Sequence, residues 1–274
     1  MLQLIVDKEQ NLKEFTDNAY AQASFYFTSL LKNREIKVNG KRVDQDVPLF
    51  TGDVVCYYLT KKQEEKPAYH IVYEDENVLI ADKEDGVNSE AVFAALQRQG
   101  EYYFIHRLDR NTKGLISFAK TEAASEELLS AFKARSAQKI YHAKCFGVPK
   151  MQEGVLTDYL KKDGSRSLVK IYSQPVSGAE KIITEYKVLE TNGETSVLEI
   201  LLHTGKTHQI RAHLAYHGCP IVGDMKYGIT AKNKAFSCAR QQLIAKRLTF
   251  SFVGKLSYLN DKTFLSRFSI SDWR

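Results

Sequence analysis

His106-Arg107-Leu108-Asp109-Arg110-Asn111-Thr112-Lys113-Gly114-Leu115 runs straight into the apolar segment Leu115-Ile116-Ser117-Phe118-Ala119. One carboxylate, Asp109, stands between two arginines, Arg107 and Arg110, with His106 three residues upstream. Positive charge on both sides favours the carboxylate form of an acid. A positioned carboxylate serves as a nucleophile or as a base. The plainer alternative is a solvated ion-pair cluster at a strand start, because structural ion-pair networks also perturb titration. The segment by itself leaves both readings open. A charged turn opening into a short continuous apolar run predicts a loop that feeds a buried strand.

Outward from this segment the chain reads as many strands with a few interspersed helices. Downstream, residues 121–135 predict a helix, with Thr121 as its cap and Leu128, Leu129 and Phe132 on one face. Strands are predicted at 139–147, 166–172, 181–190 and 194–203, and in the alternating stretch 243–252. A helix is predicted from His208 to about His217, ended by Gly218. Upstream, Ile71 to Lys83 reads as two strands around an acidic turn, and residues 89–99 as a short helix before Gly100. Strands and helices do not alternate regularly. That argues against a doubly wound parallel sheet and for an α+β domain with a largely antiparallel sheet, over residues 68–274. Residues 61–67 are polar and charged, end in Pro67, and read as a linker. Residues 1–60 form a smaller unit: a strand at 1–10, a loose helical pattern at 11–32, and Ile36 to Val43 as strand, Asn-Gly turn, strand. Leu49 to Tyr58 adds a further turn and strand.

Composition bounds the function class. A chain of 274 residues, 43% hydrophobic and 26% charged, suits a soluble globular protein with a sizeable core. Cys56, Cys145, Cys219 and Cys238 are widely scattered, which predicts reduced thiols in a cytoplasmic compartment. The N-terminal stretch meets charge at Asp7, unlike the apolar core of a signal peptide, and no run approaches the ~18 apolar residues of a membrane span. Ten of the 39 Lys/Arg and ten of the 33 Asp/Glu lie in residues 1–67, so the net charge of +6 sits entirely on the larger part. Such a bias is compatible with binding a phosphate backbone. A monomer is the default expectation.

Four further stretches carry chemistry. Lys139-Ile140-Tyr141-His142-Ala143-Lys144-Cys145-Phe146-Gly147 alternates like a strand, which places Lys139, Tyr141 and Ala143 on one face. A tyrosine between basic residues suits stacking on a base, with its phenol free for hydrogen bonding or proton transfer. In His203-Thr204-Gly205-Lys206-Thr207-His208-Gln209-Ile210-Arg211-Ala212-His213-Leu214 a strand ends, a glycine turn follows and a helix begins. Backbone N–H groups and the side chains of Lys206 and His208 gather there to hold an anion, and Arg211 is placed to grip a carboxylate or phosphate. The third stretch, Gly218 to Gly228, is a compact glycine loop; the fourth, Arg240 to Ala245, leads into the last strand. His203, His208, His213 and His217 raise the question of a metal, but spacings of five, five and four do not put four ligands on one helical face. No metal site is expected.

These blocks together resemble the RluA-type pseudouridine synthases, which isomerise uridine to pseudouridine in ribosomal or transfer RNA. The resemblance runs from about residue 70 to about residue 252. It is carried by His106-Arg-Leu-Asp-Arg with Gly114-Leu115 and Phe118-Ala-Lys120, by Lys139-Ile-Tyr141-His-Ala143 with Gly147, and by Gly205-Lys-Thr-His-Gln-Ile-Arg211-Ala-His213-Leu214. Pro220-Ile-Val-Gly-Asp224 with Tyr227-Gly228, and Arg240-Gln with Leu243 and Ala245, continue it. Residues 12–60 resemble the S4 domain, a module that usually binds structured RNA, although this one is charge-balanced. The resemblance implies that Asp109 is the catalytic aspartate, that Tyr141 stacks on the target base and takes part in proton transfer, and that Arg211 pairs with the aspartate. It implies RNA handling by Arg107 and Arg110, with Lys206 and His208 as further RNA contacts. Three positions depart from the family pattern: Lys113 replaces a usual serine, Lys206 a usual arginine, and Asp82-Lys83-Glu84 a usual Asn-Lys-Pro.

The implied mechanism flips a uridine out of folded RNA. Asp109 starts glycosidic cleavage by attack on C1′ or by taking the C2′ proton; the uracil rotates, re-bonds through C5 and loses the C5 proton. No redox change or hydrolysis occurs, so neither cofactor nor metal is expected, and the expected partner is RNA. The rival reading is a catalytically silent RNA-binding or ribosome-assembly factor on the same fold. A hydrolase using an aspartate nucleophile lacks a visible second acid.

Overall fold

The computed structural model describes residues 1–163 and 168–272. In the N-terminal unit β1 (Leu2–Ile5), β2 (Gln10–Asn11), α1 (Leu12–Ala19), α2 (Ala21–Lys32), β3 (Ile36–Val38), β4 (Lys41–Val43), β5 (Pro48–Leu49) and β6 (Val54–Tyr57) follow in order. Asn39-Gly40 turns β3 into β4, with both residues at positive φ (48° and 79°), as a two-residue hairpin requires. The sheet order is β1-β6-β3-β4, and Leu12, Phe15, Phe27 and Leu30 of the helices pack on Ile36, Val55 and Tyr57. The helical pattern at 11–32 resolves into two helices, because Tyr20 is extended (φ −145°, ψ 98°). Its ring is buried edge-on against Tyr57, with centroids 5.5 Å apart, a tertiary contact that the local pattern does not reveal. The stretch expected as a linker holds one helical turn, α3 (Lys61–Glu64), closed by a capping box between Thr60 and Gln63.

The larger unit contains β7 (Tyr69–Glu74), β8 (Val78–Lys83), α4 (Ser89–Gln97), β9 (Tyr103–Phe104), β10 (Lys113–Ala119), α5 (Glu122–Ala134) and β11 (Ala137–Phe146). It continues with β12 (Glu153–Asp163), β13 (Leu168–Tyr172), β14 (Glu180–Thr191), β15 (Thr195–Leu202), α6 (Gln209–Tyr216), α7 (Thr230–Ala235), β16 (Leu243–Phe250) and β17 (Thr263–Leu265). One sheet runs β13-β12-β14-β15-β11-β16-β10-β8-β7, with β17 on β16 and β9 on β10. Among the described residues only the β10–β16 pairing is parallel, so the expected α+β class with a largely antiparallel sheet is what the chain adopts. Thr121 caps α5 by accepting from the Ala124 N–H at 3.2 Å. Residues 166–167 of the strand expected at 166–172 lie outside the described residues; 168–172 form β13. The sequence reading missed β12. Gly154, the charged end Lys161-Lys162-Asp163 and only two fully buried side chains, Asp158 and Leu160, leave it little apolar signal.

β10 is buried on both faces, which is why it reads as a continuous apolar run. Ile116 and Phe118 join Ala91, Val92 and Leu96 of α4, while Leu115 and Ala119 join Ala124, Leu128 and Ala131 of α5. Full burial of each Leu, Ile or Phe contributes ~1.5–3 kcal/mol, so this strand is a firm floor for the loop before it. Among the described residues no helix is long and apolar enough to cross a membrane.

Candidate active site

The loop from His106 to Thr112 is tied down on both sides of Asp109. The Leu108 N–H donates to Ser89 Oγ at 2.9 Å, and that hydroxyl donates to the Leu108 carbonyl at 3.1 Å. Lys83 is fully buried at the end of β8, and its Nζ donates to the carbonyls of Glu84 and Val87 at 2.8 Å and of Arg110 at 3.1 Å. Burial pushes the Lys83 ammonium down to about 7, against the pull of Asp85 and Asp109. Gln241 Nε2 donates to Thr112 Oγ1 at 2.8 Å. Gly114 then carries the chain into β10 at φ 110°, with an added Cβ 2.3 Å from the Ala245 carbonyl, so only glycine fits there. His106 accepts the Ser117 N–H at Nε2 (3.1 Å), and its ring lies 4.4 Å from that of Phe132. Burial, helped by the nearby Lys139, pushes it down to about 3, so it stays neutral and braces the loop.

Asp109 Oδ2 accepts from Arg211 Nη1 at 2.8 Å. The same guanidinium grips Asp224 in a fork: Nε to Oδ2 at 2.7 Å and Nη2 to Oδ1 at 2.9 Å. Burial works against the Arg211 charge, but the two carboxylates outweigh it and raise its pKa. Burial likewise opposes the Asp224 charge, and Arg211 with the N–H groups of Lys226 and Tyr227 holds that carboxyl below its usual range. Asp224 is buried and belongs to the glycine loop, where Gly223 passes so close to Arg240 that an added Cβ would meet its carbonyl at 1.9 Å. From the sequence alone Asp224 has no assigned role. An acid directly after a glycine, in a loop beside an arginine-bearing helix, was the signal available.

Asp109, Tyr141 and Arg211 line one cleft of about 290 Å3 with Arg107, Lys139, Lys206 and His208. Tyr141 is buried on β11 next to a bulge, where the pairing with β16 slips between Ile140 and Tyr141. Such a bulge re-aims a side chain. Burial, and to a lesser extent Asp109, raises the Tyr141 phenol, which stays protonated. Lys139 has no acidic partner among the described residues, and its ammonium sits 5.1 Å from the centre of the Phe132 ring. It also lines a neighbouring cavity of about 200 Å3 with Lys133, Arg135, His203 and Lys206. His208 adopts a left-handed conformation at the start of α6; its Nδ1 lies 2.9 Å from the Tyr227 hydroxyl and its Nε2 4.0 Å from Asp109 Oδ2. Burial lowers its pKa, with Arg211 adding to this and Asp109 opposing. The Lys206 N–H is taken by Gln209 Oε1 at 3.1 Å, and its ammonium pairs with the exposed Glu180. The two arginines beside Asp109 diverge. Arg107 is exposed on the cleft, near Glu90 (3.0 Å), whereas Arg110 turns to the N-terminal helices.

Two of the family departures meet. Lys113 Nζ lies 3.3 Å from Glu84 and 3.6 Å from Asp85, above the Phe268 ring. The lysine and the glutamate thus form a pair. The four histidines do not converge: His203 pairs with Glu185 at 2.8 Å and His208 with Tyr227. His213 and His217, one helical turn apart, instead meet Asp158 Oδ2 at 2.9 and 2.6 Å. These three could hold an ion by position, and at those separations each histidine is hydrogen-bonded to Asp158.

The family model described as RNA pseudouridylate synthase matches residues 65–216. Ribosomal large subunit pseudouridine synthase C of Vibrio cholerae is 30% identical over 225 residues, covering 73% of this chain and 70% of that protein. Ribosomal large subunit pseudouridine synthase D of Buchnera aphidicola is 27% identical over 247 residues, covering 79% of this chain and 77% of that one. Among solved structures, human RNA pseudouridylate synthase domain containing 1 superposes with a TM-score of 0.59 at 24% identity, over 68% of this chain and 79% of that one. At that identity the likeness bears on the fold.

Proposed function

The chain belongs to the RNA pseudouridylate synthase family and is an RNA pseudouridine synthase, and we propose that its substrate is ribosomal RNA and that Asp109, Tyr141 and Arg211 act on the target uridine. The names of the relatives from Vibrio cholerae and Buchnera aphidicola support the choice of large-subunit RNA. The observation that carries the site is the Asp109–Arg211 pair lining one cleft with Tyr141, with Arg211 anchored from behind by the buried Asp224.

In this reading the uridine is flipped from the RNA into the cleft, which costs a few kcal/mol. Tyr141 stacks on the base, and its protonated phenol is at hand for proton transfer. Asp109, oriented by Arg211, breaks the N1–C1′ bond by attack on C1′ or by taking the C2′ proton. The uracil turns and C5 bonds to C1′ as the Asp109–C1′ bond breaks or the C2′ proton is returned; the C5 proton then leaves and N1 takes up a proton, so the product is an isomer of the substrate. Nothing is oxidised, reduced or hydrolysed, and the reaction calls for no cofactor. Arg211 itself is held by Asp224, so the aspartate is preorganised before RNA arrives. Arg107, Lys139, Lys206 and His208 are the groups that would meet the RNA strand, with Lys133 and Arg135 extending the cationic wall. Residues 1–60 are an S4-like module in this reading, supported by their order of two helices, Asn-Gly hairpin and strand.

The test is pseudouridine mapping of large-subunit RNA incubated with the purified protein. Wild-type protein is expected to convert a defined uridine, and Asp109→Asn to convert none while binding RNA with similar affinity. An active Asp109→Asn variant sinks the assignment of the site, and conversion confined to transfer RNA sinks the assignment of the substrate.

A further inference from the structure

Arg110 follows Asp109 directly, yet its side chain leaves the cleft for the N-terminal unit. Its Nη1 lies 2.7 Å from Asp17 Oδ1 of α1, and its Nη2 donates to Ser24 Oγ of α2 at 3.0 Å. Ser24 Oγ donates to Asp17 Oδ1 at 2.6 Å, and Lys13 pairs with the other oxygen of the carboxylate. Burial alone would raise the Asp17 carboxyl, but hydrogen bonds from Lys13 and Ser24 and the charge of Arg110 hold it below its usual range. The Asp17 side chain is only 16% exposed. Arg110 is thus held by a close ion pair to Asp17 and by a hydrogen bond to Ser24, and a partly buried pair anchored at two points fixes the guanidinium more firmly than an exposed one.

The rest of the contact shows that the N-terminal unit is docked here. Asn88 Nδ2 donates to Asn18 Oδ1 at 2.9 Å, and Arg98 Nη1 donates to the Ala19 carbonyl at 3.2 Å. Ala21 is buried in the same core as α4, and the Lys66 ammonium lies 3.8 Å from the centre of the Phe25 ring. A simple docking contact has no need of the residue beside Asp109. This one takes hold of Arg110 by its side chain, while Lys83 holds the same residue by its carbonyl. The tethers on Leu108 and Thr112 come from within the larger unit, from Ser89 and Gln241. The side-chain tether on Arg110 comes from the other unit.

We propose that Asp17 and Ser24 are positioning residues for the isomerisation: by clamping Arg110 they hold the Asp109 carboxylate on Arg211, so the N-terminal unit forms part of the frame of the active site. This rests on the assignment of Asp109 made above. It gives a charge-balanced N-terminal unit a task that needs no basic face. It also reassigns Arg110 from RNA handling to loop support.

The experiment compares wild type, Asp17→Asn, Asp17→Glu and Ser24→Ala in the full-length protein. Single-turnover conversion of large-subunit RNA gives the rate, RNA titration gives the affinity, and hydrogen exchange reads the amides of Leu108 and Thr112. Asp17→Asn is expected to lower the rate about tenfold, short of the ~100-fold that an ångström of misplacement costs. Affinity is expected to stay within roughly twofold, because a transition-state positioning effect lowers the rate and leaves binding alone. Asp17→Glu, which keeps the charge, should recover most of the loss, and both loop amides should exchange faster in Asp17→Asn and Ser24→Ala. An unchanged rate overturns the proposal, and so does weakened RNA binding at an unchanged rate. If Asp17→Asn does not fold, Ser24→Ala decides: loop exchange equal to wild type overturns the proposal. A wild-type protein that converts no RNA fells the proposed function instead, and the exchange measurement still reports on the clamp.

Discussion

Arg107 and Arg110 sit two positions before and one position after the same aspartate, and their surroundings are opposite. Arg107 is two-thirds exposed on the cleft, whereas Arg110 is held between Asp17 and Ser24. The loop as a whole divides the same way. Its cleft side presents Arg107, Asp109 and the neighbouring Lys139 to whatever enters, while its inner side is held by Ser89, Lys83, Gln241 and the N-terminal helices. Groups on the cleft side are available for chemistry. Groups on the inner side determine where that chemistry happens, because a reacting carboxylate must be placed within fractions of an ångström.

The largest test of this division falls on Arg211, which belongs to both sides. Arg211→Met leaves Asp224 buried opposite a thioether, and removing one partner of a buried pair costs ~3–5 kcal/mol. Urea unfolding is expected to show that loss together with loss of conversion. A loss under ~1 kcal/mol would mean that the N–H groups of Lys226 and Tyr227 suffice for Asp224. His106, which lines the cleft and also braces the loop, tests the bracing. Its folded pKa, about 3, lies below the ordinary 6.5, so the unfolded chain takes up this proton first as pH falls. The stability it contributes is therefore complete above about pH 6.5 and is lost as pH drops toward 3, with a slope of up to ~1.4 kcal/mol per pH unit. His106→Gln keeps an acceptor for the Ser117 N–H and cannot titrate, so its melting temperature should fall less steeply with acid; identical acid limbs would show that His106 does not drive the effect. Arg107→Ala should give the smallest effect: RNA binding weakens modestly, and the slope of log affinity against log salt drops by ~0.7–0.9, the value for one phosphate contact. If Arg110→Ala changes that slope equally, the two arginines are not divided as described.

Much of this was legible in the chain. The Asn39-Gly40 hairpin, the helix capped by Thr121 and the buried run from Leu115 each rest on local chemistry, and local rules find them. Asp109, Tyr141 and Arg211 were singled out from residue type and spacing, and the fold brings them to one cleft. Partners that lie far apart in sequence were not legible. Asp224 looks like any loop acid until Arg211 reaches it. Lys83 reads as the end of a strand, and its three carbonyl acceptors depend on two different turns. Lys113 and Glu84 look like separate irregularities and prove to be one ion pair. The break at Tyr20 depends on Tyr57, and β12 hides behind its glycine and its charged end.

The parallel pairing of β10 with β16 has a consequence for how the protein is made. Lys113 and Gly114 align with Ile244 and Ala245, about 130 residues later in the chain. At ~5–20 residues per second, synthesis of that interval takes on the order of ten seconds. During this time Lys113 and Gly114 have no β16 to pair with, and the Thr112 side chain has no Gln241 to hold it. The nascent chain can therefore pair the apolar segment Leu115–Ala119 with β8 well before β16 and Gln241 complete the active-site loop. The lysines that bracket it, Lys113 and Lys120, are the kind of charged residues that keep such a stretch from sticking to its neighbours.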